Sequence, residues 1–283
     1  MDSLTITLML AAGLLHASWH SLVKSASDGV ANMAGMGAVA AIPALLWLVA
    51  TRPVPSAELW IVLAVSVGLH VGYKVCVAQA YSRADLGEAF PMARGAVPLF
   101  ATAIAFIGLG QVPTAIQGGA IALICFSLLL LAYERFRGDF NLTLFAAIAG
   151  AGLAVALYSV LDSYGTRLAG DWIDFTAWLI VLDTAAFLLV ARAMRGPQLW
   201  TTMTAISRRI AISGTLGLLS FSVFMWALSR NPVGPVSALR ETSVLFSILI
   251  GVVFHRERLS ARRIVAALLI LTGIVLLAAS KQA

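Results

Sequence analysis

The chain has 283 residues, of which 60% are hydrophobic and only 11% are charged. A soluble domain carries roughly 45–50% apolar and about 25% charged residues, so this composition leaves too little polar surface for a water-exposed fold. The formal net charge of +6 would suit nucleic acid. Most Lys and Arg residues, however, stand in short loops between apolar runs, as in membrane proteins, and we expect no nucleic-acid partner.

Ten apolar segments follow one another along the chain, each close to the roughly 20 residues that a helix needs to cross a bilayer. They cover residues 4–23, 30–51, 58–80, 86–109, 115–133, 142–165, 173–192, 209–229, 233–254 and 262–280. Short breaks such as Val112-Pro113 and Asn231-Pro232 leave room only for helical hairpins. The sequence therefore predicts an all-α membrane protein with ten transmembrane helices, embedded in a lipid bilayer.

The two halves of the sequence resemble each other. AYSRADLG at Ala80–Gly87 matches ALSRNPVG at Ala227–Gly234 with an offset of 147 residues. GLLHASWHSLV at Gly13–Val23 agrees in form with GLAVALYSVLD at Gly152–Asp162. Five helices per half is an odd number, which forces the second half to enter the membrane upside down. We therefore predict two inverted five-helix repeats, residues 1–137 and 138–283.

Several stretches resemble the drug/metabolite transporter superfamily, specifically its EamA-type ten-helix members. They are LLHASWHSLVK at Leu14–Lys24, AYSRADLGEAFPMARGAVPLF at Ala80–Phe100 and ALSRNPVGPVSALRETSVLFSILIGVVFHRERLS at Ala227–Ser260. The resemblance implies a bundle of two inverted repeats around a central cavity, with alternating access. It also implies a multi-pass protein of the cell inner membrane that exports or exchanges small metabolites. Its motifs are diffuse and name no substrate; a monomer and a homodimer both remain open.

Two arginines are the most informative charges inside the apolar segments. An ionisable group at the bilayer centre costs at least about 2.5–3.5 kcal/mol, so it points to function. Arg94 and Arg240 each lie about eight residues past the start of a segment, or roughly 12 Å along a helix. Because the predicted halves are inverted, both arginines should reach the same depth. A guanidinium keeps its charge and needs either a carboxylate, such as Glu88 or Glu241, or an anionic ligand.

Polar residues spaced by four share one helix face in three other segments: His16, His20 and Lys24, then His70 and Lys74, then Tyr158 and Asp162. They can line a cavity, or they can merely hydrogen-bond neighbouring helices. The predicted substrate-binding residues are Arg94, Arg240, Trp19, His20, Tyr73, Lys74, Tyr158 and Glu241. Candidates for proton coupling are His20, Glu88, Asp162 and Asp183, because buried acids and imidazoles can titrate near neutral pH.

The sequence favours a secondary transporter of a small organic anion or zwitterion, driven by protons, by a counter-substrate or by the substrate gradient. It contains no HExxH, GxSxG, GxxxxGK[ST] or CxxC motif, so neither an enzyme, a metal nor another cofactor is predicted. An exporter of cationic drugs that uses intramembrane carboxylates is the alternative. A membrane-embedded enzyme with His16, His20 and Asp162 as ligands is a remote one.

Basic residues divide unequally between the two sides of the predicted helices. The side of the termini carries 4, and the other side carries 12. The positive-inside rule then places both termini outside the cytoplasm, whereas the family resemblance implies that they lie inside.

Overall fold

Helices form the whole regular structure of the part of the chain that the computed structural model describes, residues 1–81, 94–136, 142–255 and 260–280. The first half contains α1 (Ser3–Lys24), α2 (Gly29–Thr51), α3 (Ala57–Tyr81), α4 (Val97–Leu109) and α5 (Ala115–Phe136). The second half contains α6 (Leu142–Leu168), α7 (Trp172–Arg195), α8 (Gln198–Ala205), α9 (Ser207–Arg230), α10 (Val233–Arg240), α11 (Thr242–His255) and α12 (Ala261–Ala279).

Local side chains fix where several helices begin and end. Asp2, Asp28 and Asp171 cap α1, α2 and α7, each by accepting hydrogen bonds from backbone amides of the first turn. Gly110 and Gly196 end α4 and α7 with φ angles of 63°, a left-handed conformation that glycine adopts without steric cost. The polar residues between the apolar segments therefore set the helix ends.

Eight of the described helical stretches are long and apolar enough to cross a membrane, and two further apolar helices, α4 and the apolar part of α5, are shorter. The predicted fourth segment starts at residue 86, and residues 82–93 lie outside the described ranges. The all-helical membrane character is thus confirmed, whereas the count of ten spans stays a prediction. Two details differ from the expectation: α8 is an additional short helix, and the predicted ninth segment is divided into α10 and α11.

The division between α10 and α11 falls at Glu241. Its backbone amide donates to the carbonyl of Ala238, and Val244 donates to the carbonyl of Glu241, both with the tighter i to i+3 spacing. Pro235 lies in the first turn of α10, where a missing amide costs no helical hydrogen bond. Pro98 lies likewise in the first turn of α4.

The bundle is held together by helix pairs that join the two halves of the chain. α3 packs on α6, α1 packs on α9, α2 packs on α7, and α5 packs on α12. Small residues allow the close approach: a Cβ added at Gly35 of α2 would meet the Ile210 side chain of α9 at 2.5 Å. A Cβ at Gly13 of α1 would meet Thr242 Oγ1 of α11 at 2.4 Å.

Contacts between loops define two ends of the bundle. At the first end Arg195 donates to Asp28 at 2.6 Å, and at the second end Trp178 donates to the Pro53 carbonyl at 3.1 Å. The start of α2 therefore lies beside the end of α7, and the end of α2 lies beside the start of α7. The two helices are thus antiparallel. Lys24, Arg192, Arg195, Arg208 and Arg209 belong to the first end, and Arg52, Arg167 and Arg230 to the second.

Candidate functional site

A cavity of about 140 Å³ lies between α1, α2, α3, α6, α7, α9 and α10. Aromatic and aliphatic side chains form much of its wall. Its polar and charged lining residues come from five different helices: His16, His70, Tyr73, Lys74, Tyr158, Asp183, Thr184 and Arg240. A mostly apolar pocket with a few convergent polar groups is the usual form of a small-molecule site.

Arg240 reaches the cavity from the last turn of α10 and is 9% exposed. Its guanidinium carbon stands 4.0 Å from the centre of the Phe224 ring, and its Nη1 donates to the Tyr158 hydroxyl at 3.3 Å. No carboxylate among the described residues lies within ion-pair distance of it. Its charge is supported by aromatic faces and a hydroxyl rather than by an acid, which leaves it available to an anion.

Arg94 is placed differently from Arg240, although the two occupy equivalent positions in the predicted repeats. Its Nε donates to Glu241 Oε2 at 2.6 Å, and its Nη1 lies 3.2 Å from His16 Nε2. Arg94 is 2% exposed, Glu241 is fully buried, and neither lines the cavity. The pair therefore ties the start of α11 to the fourth segment behind the cavity wall.

Asp162 does not line the cavity and is fully buried. One carboxylate oxygen accepts a hydrogen bond from the Ser66 hydroxyl, and the other lies 2.9 Å from His70 Nε2. His70 itself lines the cavity, and its ring stacks on Tyr158 with the ring centres 4.0 Å apart. His70 thus separates the buried carboxylate from the cavity.

Lys74 and Asp183 form an ion pair on the cavity wall between α3 and α7. The Lys74 ammonium group also stands 5.0 Å from the centre of the Phe187 ring. Asp183 Oδ1 and the neighbouring Thr184 Oγ1 are buried and have no hydrogen-bond partner among the described residues. Buried polar atoms are seldom left unpaired, so these two acceptors beside the cavity are unusual.

The aromatic side chains on and beside the polar face of α1 contact one another. The Trp19 and His20 rings are 3.6 Å apart, and the His16 and His20 rings are 4.6 Å apart. Trp19 lines the cavity, whereas His20 lies behind it and meets the Tyr73 hydroxyl at 3.4 Å. The predicted shared face exists, but its members differ in their access to the cavity.

The structure brings five of the predicted substrate-binding residues to the cavity wall: Trp19, Tyr73, Lys74, Tyr158 and Arg240. His20, Arg94 and Glu241 lie behind it, where buried partners hold them. Among the proton-coupling candidates, Asp183 lines the cavity, and Asp162 contacts His70, which lines it. Glu88 lies outside the described residues.

Sequence reasoning did not assign a site role to Ser66, His70, Thr184 or Phe224. His70 was noticeable as an ionisable group in an apolar segment, and Ser66 stands one turn before it on the same face. Phe224 gave no signal, because an aromatic residue in an apolar helix is ordinary.

Comparison with known proteins agrees with this architecture. Residues 142–279 match the EamA-like transporter family. A solved crystal structure is similar, with a TM-score of 0.70 and 17% identity over 98% of this chain and 96% of that chain. That likeness shows the fold alone. No protein with a curated description matches the chain. The second half of this membrane protein thus matches the EamA-like transporter family, in agreement with the predicted resemblance to the drug/metabolite transporter superfamily.

Proposed function

We propose that the protein is a secondary transporter of a small organic anion or zwitterion and that the anionic group binds Arg240. The observation that carries the proposal is that the cations buried in the bundle differ in their partners. Arg94 and Lys74 each face a carboxylate, whereas Arg240 faces the cavity with only aromatic and hydroxyl contacts among the described residues. A guanidinium binds carboxylate, phosphonate or phosphate through two parallel hydrogen bonds, which an ammonium group cannot reproduce.

The remaining polar wall favours a ligand that also carries a hydrogen-bond donor. Asp183 Oδ1 and Thr184 Oγ1 are acceptors without a described partner, and their residues line the same cavity as Arg240. An ammonium or hydroxyl group on the ligand would satisfy them. This supports a zwitterion or a hydroxylated anion. Trp19, Tyr73 and Lys74 would then shape the space between the two polar regions.

The described acids do not favour the alternative of a cationic drug. Asp162, Asp183 and Glu241 each have a basic neighbour within ion-pair distance. A lipophilic cation would have to displace such a neighbour before it could use the carboxylate, and it would leave a buried charge without its partner.

We also propose ten spans in two inverted repeats, with alternating access to the cavity. The pattern of packing supports this. Suppose that α1, α2, α3, α4 and α5 correspond to α6, α7, α9, α11 and α12. The counterpart of the α1–α9 contact is then the α6–α3 contact, and the counterpart of the α1–α11 contact is the α6–α4 contact. All four contacts occur in the structure. The equivalent helices α2 and α7 are antiparallel. Inverted repeats commonly place the substrate where they meet.

The test is a binding screen on the purified protein by thermal shift, because a ligand that prefers the folded state raises its stability. Lactate, methanesulfonate, methylphosphonate and glycine represent the anion and zwitterion classes, and tetraphenylphosphonium represents lipophilic cations. We expect at least one of the anions or glycine to stabilise the protein. Stabilisation by tetraphenylphosphonium alone would overturn the proposal in favour of a cation exporter.

Substitutions then test the assignment of Arg240. Loss of a charged hydrogen-bonding group costs about 1.5–3 kcal/mol, so Arg240→Gln should weaken the bound probe roughly 10- to 150-fold. Arg230→Gln is the matched control, because Arg230 also stands over an aromatic ring, that of Trp226 at 5.3 Å, but is exposed at the end of α9. Equal affinities of the two variants would remove Arg240 from the site.

A further inference from the structure

We propose that His70 and Asp162 form a proton-binding site that is coupled to anion binding at Arg240, so that the anion is carried together with one proton. This inference rests on the proposed function and goes beyond it by naming the coupling ion and the residues that hold it. It is carried by the contacts of His70, Tyr158 and Arg240, which connect the buried Asp162 carboxylate to the proposed anion site on the cavity wall.

The first step is access. Asp162 is fully buried, and the imidazole of His70 stands between it and the cavity. The Nε2 of His70 lies 2.9 Å from the Asp162 carboxylate, while the residue is 8% exposed and lines the cavity. A proton that enters from the cavity therefore reaches His70 first. The resulting imidazolium donates its Nε2–H to Asp162, which is a charge-assisted hydrogen bond.

The second step is the connection to Arg240. Tyr158 stacks on the His70 ring at 4.0 Å with 20° between the planes, and its hydroxyl accepts from Arg240 at 3.3 Å. The Arg240 guanidinium carbon is 6.0 Å from the centre of the Tyr158 ring. The His70 and Arg240 charges are therefore about 10 Å apart at most, a separation over which charges still interact strongly in a weakly polarisable interior.

The third step is the balance of charge. Among the deep groups that the structure describes, three are fixed cations, namely Lys74, Arg94 and Arg240, and three are acids, namely Asp162, Asp183 and Glu241. With His70 neutral these charges cancel. An anion at Arg240 adds one negative charge to this set, and a proton on His70 offsets that added charge. A nearby negative charge favours the protonated imidazole, so anion and proton each strengthen the binding of the other.

The other titratable or charged groups around His70 do not disturb this balance. They are Tyr73 and Lys74 on its own helix, Tyr158 and Asp162 on α6, Asp183 on α7, His16 on α1 and Arg240 on α10, while α9 contributes the uncharged Phe221. Lys74 and Asp183 neutralise each other. His16 lies beside Arg94, whose positive charge opposes a second one on the imidazole. His70, which has a carboxylate partner, is therefore the preferred site for the proton.

The proposed step makes and breaks no bond in the substrate. One proton passes from water in the cavity to His70, and it returns to water when the anion leaves. The pair thus acts as a carrier only, and it requires no oxidant, reductant or second reactant.

Isothermal titration calorimetry on the detergent-purified protein tests the coupling. The probes are methanesulfonate and lactate, whose own charges are fixed near neutral pH. Titrations in two buffers of different ionisation enthalpy count the protons taken up on binding. We expect the wild type to take up a proton with the anion and its affinity to fall by up to tenfold per unit rise in pH.

Two variants locate the proton. His70→Gln and Asp162→Asn should still bind the probe but take up no proton and show a flat pH profile. The amide of Asp162→Asn can still accept from Ser66, so the packing of α3 on α6 is retained, and a thermal melt checks the fold. Asp174→Asn is the matched control, since Asp174 accepts from Trp47 at 2.8 Å in the first turn of α7 and does not line the cavity. It should keep both proton uptake and pH dependence.

The outcomes separate the two proposals. Binding of a probe that depends on Arg240 but is independent of pH in the wild type overturns the coupling and leaves the proposed function standing. Proton uptake that persists in both variants overturns the assignment to His70 and Asp162. If the wild type binds neither methanesulfonate nor lactate, the coupling inference fails, and the proposed function stands only if methylphosphonate or glycine binds in the thermal-shift screen.

Discussion

The buried pair of Arg94 and Glu241 offers a quantitative test of the view that only one of the two deep arginines binds the ligand. The two side chains are 2% and 0% exposed and meet at 2.6 Å. Substituting Arg94→Met leaves the Glu241 carboxylate buried without its partner. Breaking a buried ion pair in this way costs about 3–5 kcal/mol, a large part of the roughly 5–15 kcal/mol by which a folded domain is stable.

Removing both charges should behave differently. In Arg94→Met combined with Glu241→Met, both charges of this pair are removed, and two unbranched apolar side chains fill a similar volume. Replacing a buried pair by apolar groups is often neutral or stabilising by about 1–4 kcal/mol. We therefore expect the double variant to regain most of the stability that the Arg94→Met single variant loses. The coupling between the two substitutions should exceed 2 kcal/mol in magnitude, within the range known for residues in direct contact.

The measurement is reversible unfolding in detergent, followed by far-UV circular dichroism, for the wild type, both single variants and the double variant. Arg230→Met is the control for loss of an arginine, and because Arg230 is exposed it should cost less than about 1 kcal/mol. The reasoning is refuted if Arg94→Met is as mild as Arg230→Met, or if the double variant is no more stable than the less stable of the two single variants.

Three further predictions concern the rest of the bundle. Gly13→Ala places a methyl group 2.4 Å from a hydroxyl at the start of α11 and should destabilise by about 1–3 kcal/mol, whereas Gly72→Ala on α3, with nothing within 4 Å, should be neutral or slightly stabilising in the same unfolding assay. Burial raises the pKa of Asp28, but the hydrogen bonds from Arg195 and from the first backbone amides of α2 outweigh it and hold this pKa below its usual range. Its contribution to stability is therefore present above the usual aspartate pKa of about 3.9 and is lost as the pH falls through the lower folded value. Asp28→Ala should cost about 1 kcal/mol and Asp28→Asn less, since Asn still caps the helix. A reporter that is active only outside the cytoplasm should be active when fused after Ala283 if the more basic end of the bundle lies inside, and a silent reporter would favour the opposite orientation.

The sequence predicted the helices more completely than it predicted the site. Helix bounds followed closely from apolar runs, because a bilayer fixes the length of a spanning helix and the polar residues between the runs cap its ends. The division of the ninth segment into α10 and α11 at Glu241 could not be predicted from the apolar runs. Pro235 is not its cause, because this proline stands in the first turn of α10, where a helix tolerates it.

The partners of the charged residues were the least predictable feature. Spacing along one helix shows which side chains share a face, but it does not show which helix that face meets. The pairing of Arg94 with Glu241 joins residues 147 positions apart, and that of His70 with Asp162 spans 92 positions. Phe224, which supports the Arg240 guanidinium, is one apolar residue among many in α9.

The two arginines show how a repeated sequence can acquire a single binding site. Arg94 and Arg240 occupy equivalent positions in the predicted repeats, yet Glu241 follows Arg240 directly and pairs with Arg94 from the other half of the chain. One carboxylate cannot neutralise both cations in contact. By taking Arg94 as its partner it leaves Arg240 on the cavity wall without a described acid, in the company of Phe224 and Tyr158. The asymmetry between the halves thus converts two equivalent positive charges into one buried tie between helices and one candidate receptor for an anion.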